Sequence, residues 1–596
     1  MGALNAGHNH NRTDTRQPVG LLVGRFGWFT VIIVVLFGLA LRVSDLRADP
    51  PWDLSWSFAP YTDESLNTYS ARNMVLYGAW KVDDFNPYVV YPLVNMLVAI
   101  VFRLFGIGFV QVKLVSVAAG VLSVLLLYLL VRESDGPLAG LLAGLGLATC
   151  FPLVMYSRLG LIESVQILFL LCTGLFWVKG LSRPRLMFWS GLLAAATFLF
   201  VKVSAVFLVP VMLTMFGWEL VADRCDPDRL KGLRNKFAWF AAGVAVAAFA
   251  WLLLVFLPFR RDYFRYLARH SFESPAGHPG TIPAYLFNTF VTGMWSQLLE
   301  RLVWTAVPGF LVLPFLFLRR SPVWRYLFLW LVFALLQLGY MNYRPPRYEI
   351  IIIPVLIASF AAILARHIHT GTLLPRFKAT VPKALLYSLW LWPLTTQVVL
   401  HVRNVKTFPE DAAALRWLGL GLVPAVVVGL AGYLLIRLSR REITLPGRLS
   451  RVALALLLLG LSLQLDLRQF SNWFSSRTHN MFDWARAVDV ALPDSAVVIG
   501  TWAPPFMIES RKRAVAISDW ANLDDPVGRF RATHLFLGQG HTDELLVERL
   551  GPLLERSTPL GMVAIPCQSW TQEIALFALP EPPASKPGSS PIAPAP

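Results

Sequence analysis

Apolar runs of about 15 to 22 residues recur along the chain, each closed by a short polar or basic connector. That length matches the ~20 residues an α-helix needs to cross a ~30 Å hydrocarbon layer. We place spans near 26–43, 112–131, 138–155, 162–179, 186–200, 203–218, 237–257, 302–318, 324–341, 349–365, 384–402, 415–436 and 452–466, with a further apolar stretch over 89–107. The stretch around FLFVKVSAV is too long for one crossing and suits two short ones, so Lys202 marks the turn between them. Beyond residue 468 the pattern changes. SAVVIG (495–500), RAVAI (513–517), THLFLG (533–538), GMVAIP (561–566) and EIALFALP (573–580) are short β-branched runs, while TDELLVERLGPLLE (542–555) has helical spacing. The pattern predicts a mainly α, polytopic transmembrane domain over 26–466, of about 12–13 spans, followed by a small α/β domain over 468–580. The polar residues 1–25 and the Pro/Ser/Ala-rich 581–596 read as disordered tails.

Positive charge in the connectors sets the sidedness. Arg12, Arg16 and Arg25, the pair Arg183 and Arg185, the 224–236 loop, Arg319 and Arg320, the 366–383 loop and the segment from Arg437 to Arg451 must share the cytoplasmic side. A full crossing at 89–107 would reverse every later basic loop, so this stretch is expected to be re-entrant or interfacial. The outer side then receives the 45–111 loop, the 156–163 turn, the 258–301 loop, the 342–348 turn and the C-terminal domain. No small-residue cleavage site follows the first run, which reads as an uncleaved span.

Composition agrees and narrows the classes. The chain is 56% hydrophobic and 15% charged, with a formal charge of +17. Its Lys and Arg form no aromatic-interleaved patch, which argues against nucleic acid. Cys150 and Cys172 lie in apolar runs, Cys225 in a basic loop and Cys567 alone near the end, so neither a disulfide framework nor a zinc spacing follows. His8 and His10 lie in the solvated tail. No DxD or His cluster demands a cofactor metal, although a divalent ion is compatible with the acids present.

The chemistry concentrates in PYTDESLNTYSARNMVLYGAW (60–80). Thr62 or Asp63 can cap a helix that carries Glu64 in its first turn and ends at Gly78, and a cap alone is one reading of the acids. Such an N-terminus would favour the anionic form of Asp63. The other outer loops supply complementary charge: Arg158 and Glu163 in YSRLGLIES, Lys202 in VKVSAV, and Arg344, Arg347 and Tyr348 in NYRPPRYE. Each cation alone is a snorkelling anchor in the simplest reading. Gathered on one face, carboxylates beside Arg and Lys suit transfer of a group from a phosphate, the base activating a hydroxyl and the cations holding the departing phosphate. A donor entering from the membrane points to a lipid phosphate.

In this order, the Asp-Glu opening, the segment PYVVYPLVNMLVAIVFRLFG, SRLGLIES, VKVSAV and RPPRYEIIIIP resemble the polytopic GT-C glycosyltransferases. The chain looks like glycosyltransferase family 39 and its bacterial relatives, including protein O-mannosyltransferases and lipid A aminoarabinose transferases, over roughly 26 to 365. The resemblance implies inverting transfer of a sugar from a polyprenyl-phosphate donor to an acceptor hydroxyl of a protein, lipid or polysaccharide, on the outer face of a bacterial inner or plasma membrane. Asp63 matches the family's catalytic acid and would be the general base, with Glu64 positioning it or the acceptor. Glu163 matches the acid of the second loop, usually Asp. Arg158, Lys202 and Arg347 are the phosphate candidates, by electrostatics more than by motif. Tyr91 stands where relatives often carry His or Lys before the proline.

FRRDYFRYLARHSF, in the 258–301 loop, has the spacing of an interfacial helix that anchors to lipid or grips the donor, and His270 and His278 could reach an acceptor. Trp502 and Trp520 would suit carbohydrate stacking or a core. A transporter or lipid flippase is the rival reading, but none of the placed spans carries Asp or Glu near its centre. An Asn at position 63 would keep a cap while removing a base, which separates the two readings of Asp63.

Overall fold

A computed structural model describes residues 25–224, 226–268, 279–290, 301–319, 321–342, 344–370, 380–403, 411–439, 448–567 and 570–580. The two expected tails, Cys225, His270, His278, Arg320 and parts of the 366–383 and 437–451 connectors lie outside the described residues. Among those residues nine helical stretches are long and apolar enough to cross a membrane, and four shorter apolar helices accompany them.

The first apolar helix is α1 (Arg25–Val43), followed by the short helices α2 (Ala59–Asn67), α3 (Tyr69–Tyr77) and α4 (Pro92–Phe105). Next comes α5 (Leu114–Thr149), broken at Gly136, where φ is +84° and Pro137 follows. A Cβ at Gly140 would lie 2.6 Å from the Tyr128 carbonyl oxygen, and one at Gly144 3.5 Å from that of Val124. The two halves therefore run back along each other, as the separate runs 112–131 and 138–155 predict. After α6 (Phe151–Ser157) come α7 (Glu163–Ser182), α8 (Leu186–Ala196) and α9 (Leu208–Asp223), then α10 (Pro227–Trp251) and α11 (Leu257–Leu267). The remaining helices are α12 (Ile282–Phe290), α13 (Val303–Phe317), α14 (Pro322–Gly339), α15 (Pro346–Glu349), α16 (Ile353–Thr370), α17 (Val381–Val402), α18 (Asp411–Ser439), α19 (Arg448–Ser475) and α20 (Asn480–Ala491). Among these stretches Pro346–Thr370 is the most enclosed, which fits the apolar run IIIIPVLIASFAAILA (350–365) that follows Arg347 and Glu349.

Ion pairs mark the two ends of this bundle. At one end Asp135, in the turn of α5, binds Arg319 at 2.6 Å, Glu133 lies 3.6 Å from Lys179, and Glu219 lies 3.2 Å from Arg325. The described basic connectors that follow α7, α9 and α13 thus share one end. At the other end the Arg158 guanidinium donates to the carbonyls of Leu41, Arg42, Ser44 and Asp45, which closes the C-terminus of α1 with a cation. Arg301, just before α13, binds Asp53 at 2.6 Å at that same end.

Both flanks of α4 belong to the second end. On one side Tyr91 meets Tyr266 of α11; on the other the Phe109 amide donates to Glu509, and Lys113 donates to the Leu46 carbonyl at 2.8 Å. With 14 residues, about 21 Å, α4 lies across this end without passing through the bundle.

The C-terminal domain caps the same end with a five-stranded mixed sheet in the order β2-β1-β3-β5-β4. Here β1 (Val497–Gly500) runs parallel to β2 (Arg513–Ala516) and β3 (His534–Leu537), while β5 (Thr571–Ala578) is antiparallel to β3 and to the edge strand β4 (Thr558–Pro566). β1, β2 and β3 fall within the predicted runs, β4 and β5 begin three and two residues before theirs, and the helix His541–Leu554 covers the predicted TDELLVERLGPLLE except for its last residue. Trp502 is buried against Phe58 and Phe506, which makes it a core residue and not a stacking platform.

Four buried polar side chains tie this domain to the first loop. Asp49 caps α20 from a distance, accepting from the amides of Asn480 (2.8 Å) and Met481 (3.1 Å). Arg72 of α3 donates to the carbonyls of Ser510 and Lys512, and the Tyr69 hydroxyl donates to Asp83 and reaches the Ala514 carbonyl. Asn522 donates to Asp83 and accepts from the Asp84 amide.

Candidate active site

The first-loop helix begins earlier than its sequence suggests. α2 starts at Ala59 with Pro60 in its first turn, and its N-cap is Phe58, without a side-chain cap. Neither Thr62 nor Asp63 is a cap, so the capping reading of the acids is corrected. Asp63 sits in the second turn, away from the helix N-terminus, and the dipole does not govern its ionisation. Its carboxyl is raised above the usual range, first because burial disfavours the anion and then because Glu163 repels it; the Arg347 guanidinium opposes both effects. Gly78 ends α3 in the left-handed conformation, φ +74°, as expected of a helix-terminating glycine.

Four charged side chains from four separate elements meet here. Asp63 Oδ2 lies 2.7 Å from Arg347 Nη2, and Arg347 Nε lies 3.9 Å from Glu163 Oε1. The same Glu163 oxygen accepts from Lys202 Nζ at 2.5 Å. Lys202 projects 3.9 Å over the Tyr348 ring, and the Arg347 guanidinium lies 4.9 Å from that ring. Each position follows from a local break in regular structure. Glu163 is the first residue of α7. Lys202 is extended, φ −159° and ψ 123°, between a π-helical turn and a 3₁₀ turn, so the predicted interruption of the apolar run is a real one. Arg347 and Tyr348 ride on the single turn α15, which Pro345 and Pro346 open.

Burial gives the cluster its force. Asp63 keeps 18% of its side chain accessible, while Glu163, Lys202 and Arg347 keep less than half of that. Glu163 Oε2 is buried without a hydrogen-bond partner among the described residues. Burial holds the Lys202 ammonium below its usual pKa, although Glu163 pulls it back up. In so dry a place each charge acts strongly on its neighbours, and an arriving phosphate would compete with the carboxylates for Lys202 and Arg347. A small cleft lined by Ser204, Phe207, Gln337, Met341, Tyr348 and Ile351 opens beside Tyr348, between helix ends of largely apolar lining.

Tyr91 belongs to this neighbourhood. Its hydroxyl lies 3.3 Å from that of Tyr266, and burial together with Tyr266, Tyr348 and Glu163 drives its pKa well up, so it is a neutral donor. The other candidates stand elsewhere. Glu64 leaves α2 in a different direction, accepting from the Gly160 amide at 3.1 Å with Lys113 at 3.9 Å. Arg158 is spent on the carbonyls at the end of α1 and lies over Trp473 at 4.4 Å. Arg344 donates to the backbone and side chain of Asn288. The expected convergence of four cations is thus a convergence of two, because backbone carbonyls and an amide oxygen claim Arg158 and Arg344.

Tyr266 and Lys113 were missed by the sequence reading. Tyr266 follows Asp262 by four residues on α11, and Asp262 is buried against Lys81 at 2.7 Å and near Asn86. That shared face of an amphipathic helix was the available signal. Among the described residues no three His, Cys, Asp or Glu side chains form a metal-ligand group.

Residues 87–254 match the family described as dolichyl-phosphate-mannose-protein mannosyltransferase. That segment holds Tyr91, Glu163 and Lys202 and leaves out Asp63 and Arg347. No curated protein matches the chain significantly. Among solved structures, ArnT from Cupriavidus metallidurans bound to undecaprenyl phosphate is similar, at 15% identity and TM-score 0.52 over 93% of this chain and 98% of that one. Its apo state gives 14% identity with the same coverage and score. The Archaeoglobus fulgidus oligosaccharyltransferase tethered with an acceptor peptide is 12% identical, with TM-score 0.52 over 94% of this chain and 75% of that one. The protein is an integral, multi-pass membrane protein with the GT-C fold, and it resembles glycosyltransferase family 39.

Proposed function

We propose that this protein transfers a sugar from a polyprenyl-phosphate donor to an acceptor hydroxyl, with inversion, at the extracytoplasmic face of the membrane. The observation that carries the reading is the buried Asp63–Arg347 and Glu163–Lys202 pair of ion pairs, set at the bundle end opposite the described basic connectors. The matched mannosyltransferase segment and the undecaprenyl phosphate bound by ArnT support the donor class.

In the reaction the acceptor oxygen forms a bond to the anomeric carbon while the bond from that carbon to the phosphate oxygen breaks. The phosphate leaves with the electron pair, and the acceptor proton passes to a carboxylate. Asp63 is the assigned base: it is the more accessible acid of the cluster, and its raised pKa makes it a stronger base than an ordinary carboxylate. Lys202 and Arg347 hold the phosphate, whose growing negative charge in the transition state strengthens their hydrogen bonds. Glu163 is a positioning residue that aims Lys202, the Tyr348 ring lies beneath Lys202 and Arg347, and Tyr91 adds a neutral hydroxyl to the neighbourhood. Glu64 supports α2 through Gly160 and Lys113, so its expected role in positioning the base becomes indirect.

The test is release of free polyprenyl phosphate from a panel of polyprenyl-phosphate sugars by the purified protein, beside Asp63→Asn. Release by the wild type alone is expected. No release from any donor in the presence of protein, lipid and glycan acceptors, with folding verified, would turn the reading towards a carrier.

A further inference from the structure

We propose that Gln337, on α14, is a positioning residue for the sugar-transfer reaction: its carboxamide clamps the turn that follows Lys202 and so holds the Lys202 ammonium where it and Arg347 reach one phosphate group together. This rests on the donor-phosphate reading above and deepens it by naming what fixes the spacing of the two cations.

Gln337 interrupts the apolar run LFLWLVFALLQL (327–338) near the end of α14. Placing a carboxamide among apolar side chains is unfavourable unless its polar ends are bonded. Both ends are bonded here, and to a single turn. Nε2 donates to the Ser204 carbonyl at 2.5 Å, and Oε1 accepts from the Phe207 amide at 2.9 Å. Reversing the carboxamide would set N–H against N–H and oxygen against oxygen, so one orientation alone serves. The clamped turn is Val203–Phe207, the 3₁₀ segment between the extended Lys202 and α9. Hydrogen bonds within a 3₁₀ turn have poorer geometry than those of an α-helix, and a helix break among apolar spans needs side chains to hold its backbone groups. Gln337 meets that need immediately beyond Lys202.

The clamp also links the two cations. α14 leads into α15, the single turn that carries Arg347 and Tyr348. Gln337 and Tyr348 line the same small cleft, and Lys202 Nζ lies 3.9 Å over the Tyr348 ring. Glu163 Oε1 accepts from Lys202 at 2.5 Å and stands 3.9 Å from Arg347 Nε. An arriving phosphate competes with that carboxylate for both cations, and the ammonium then gives up its carboxylate anchor. Since the four-carbon stem of lysine is flexible, the aim of the ammonium then depends on its backbone root. Gln337 fastens that root to α14. Packing alone would be served by an apolar side chain, such as those of Ala334, Leu338 and Met341 in the same cleft.

The test is a titration of the purified full-length protein with undecaprenyl phosphate and with uncharged undecaprenol, for wild type, Gln337→Met, Lys202→Met and the double variant. We expect Gln337→Met to weaken undecaprenyl phosphate binding about fivefold to tenfold, to leave undecaprenol binding unchanged, and to add nothing to the loss caused by Lys202→Met. Gln337→Asn, whose amide is too short to span both backbone groups, should reproduce the loss and covers the case in which the methionine variant does not fold. An equal loss with and without Lys202, or an equal loss for undecaprenol, would overturn the proposal, because either marks packing. Wild-type affinity of both Gln337 variants beside a weakened Lys202→Met would also overturn it, while leaving the donor-phosphate reading in place. Unchanged undecaprenyl phosphate binding by Lys202→Met would instead remove the phosphate role of Lys202, and this proposal with it.

Discussion

At the scale of single residues, neighbouring acids have separate fates. Asp63 and Glu64 are adjacent in sequence, yet the helix turns them to different partners, Arg347 and Lys113. Asp63→Asn is expected to cut transfer at least about a hundredfold, the usual contribution of a general base, and steady-state rates measure it. Since Asp63 caps no helix, thermal unfolding of that variant separates any loss of the Arg347 contact from loss of chemistry. Lys202→Met should weaken undecaprenyl phosphate binding about tenfold to a hundredfold, read by titration. The pH profile of transfer should be a bell. The Asp63 carboxyl is raised, so activity fails as pH falls through a value above the ordinary carboxylate pKa; the Lys202 ammonium is lowered, so phosphate binding fails as pH rises through a value below the ordinary lysine pKa. Both limbs therefore move inward, and a flat profile between the ordinary Asp and Lys values would remove both assignments.

At the scale of elements, the work is done where regular structure stops. The extended Lys202, the one-turn α15 and the first residue of α7 each place a functional group at a helix break, where the backbone can aim it towards a common centre. The same logic holds for α4, which lies across one bundle end. Accessibility reporters inserted near residue 90 and near residue 110 should label from the same side, and opposite labelling would show that α4 crosses. Asp49 joins two distant elements by capping α20. Asp49→Ala should cost about 1 kcal/mol and lower the melting temperature of the C-terminal domain, with Asp49→Asn recovering most of it.

At the scale of the whole molecule, the mixed sheet docks on the first loop at the bundle end that holds the charged cluster. The sheet reaches the first loop through Arg72, Tyr69 and Asn522, so the loop with the candidate base is braced from both sides. Reporters near residues 184 and 230 should face one compartment and a reporter near residue 524 the other, as the gathering of the described basic connectors at the far end requires.

The sequence by itself determined the run of spans, the parity argument about 89–107, the strands of the C-terminal sheet, and the residue types Asp63, Glu163, Lys202, Arg347 and Tyr348 at breaks in apolar runs. Those features are local: the length of an apolar run, the alternation of a strand and the cost of a charge in hydrocarbon are all written within about twenty residues. Only the tertiary structure decided which charges meet. Arg158, Arg344 and Glu64 looked equivalent to Arg347, Lys202 and Asp63, but carbonyls, an amide oxygen and a buried lysine from distant segments had prior claims on them. The N-cap at Phe58, the tie from Asp49 to α20 and the chain of rings from Tyr91 through Tyr266 to Trp520 were hidden for the same reason. Partners separated by scores or hundreds of residues are chosen by packing and desolvation once the chain is folded, and no local pattern encodes that choice.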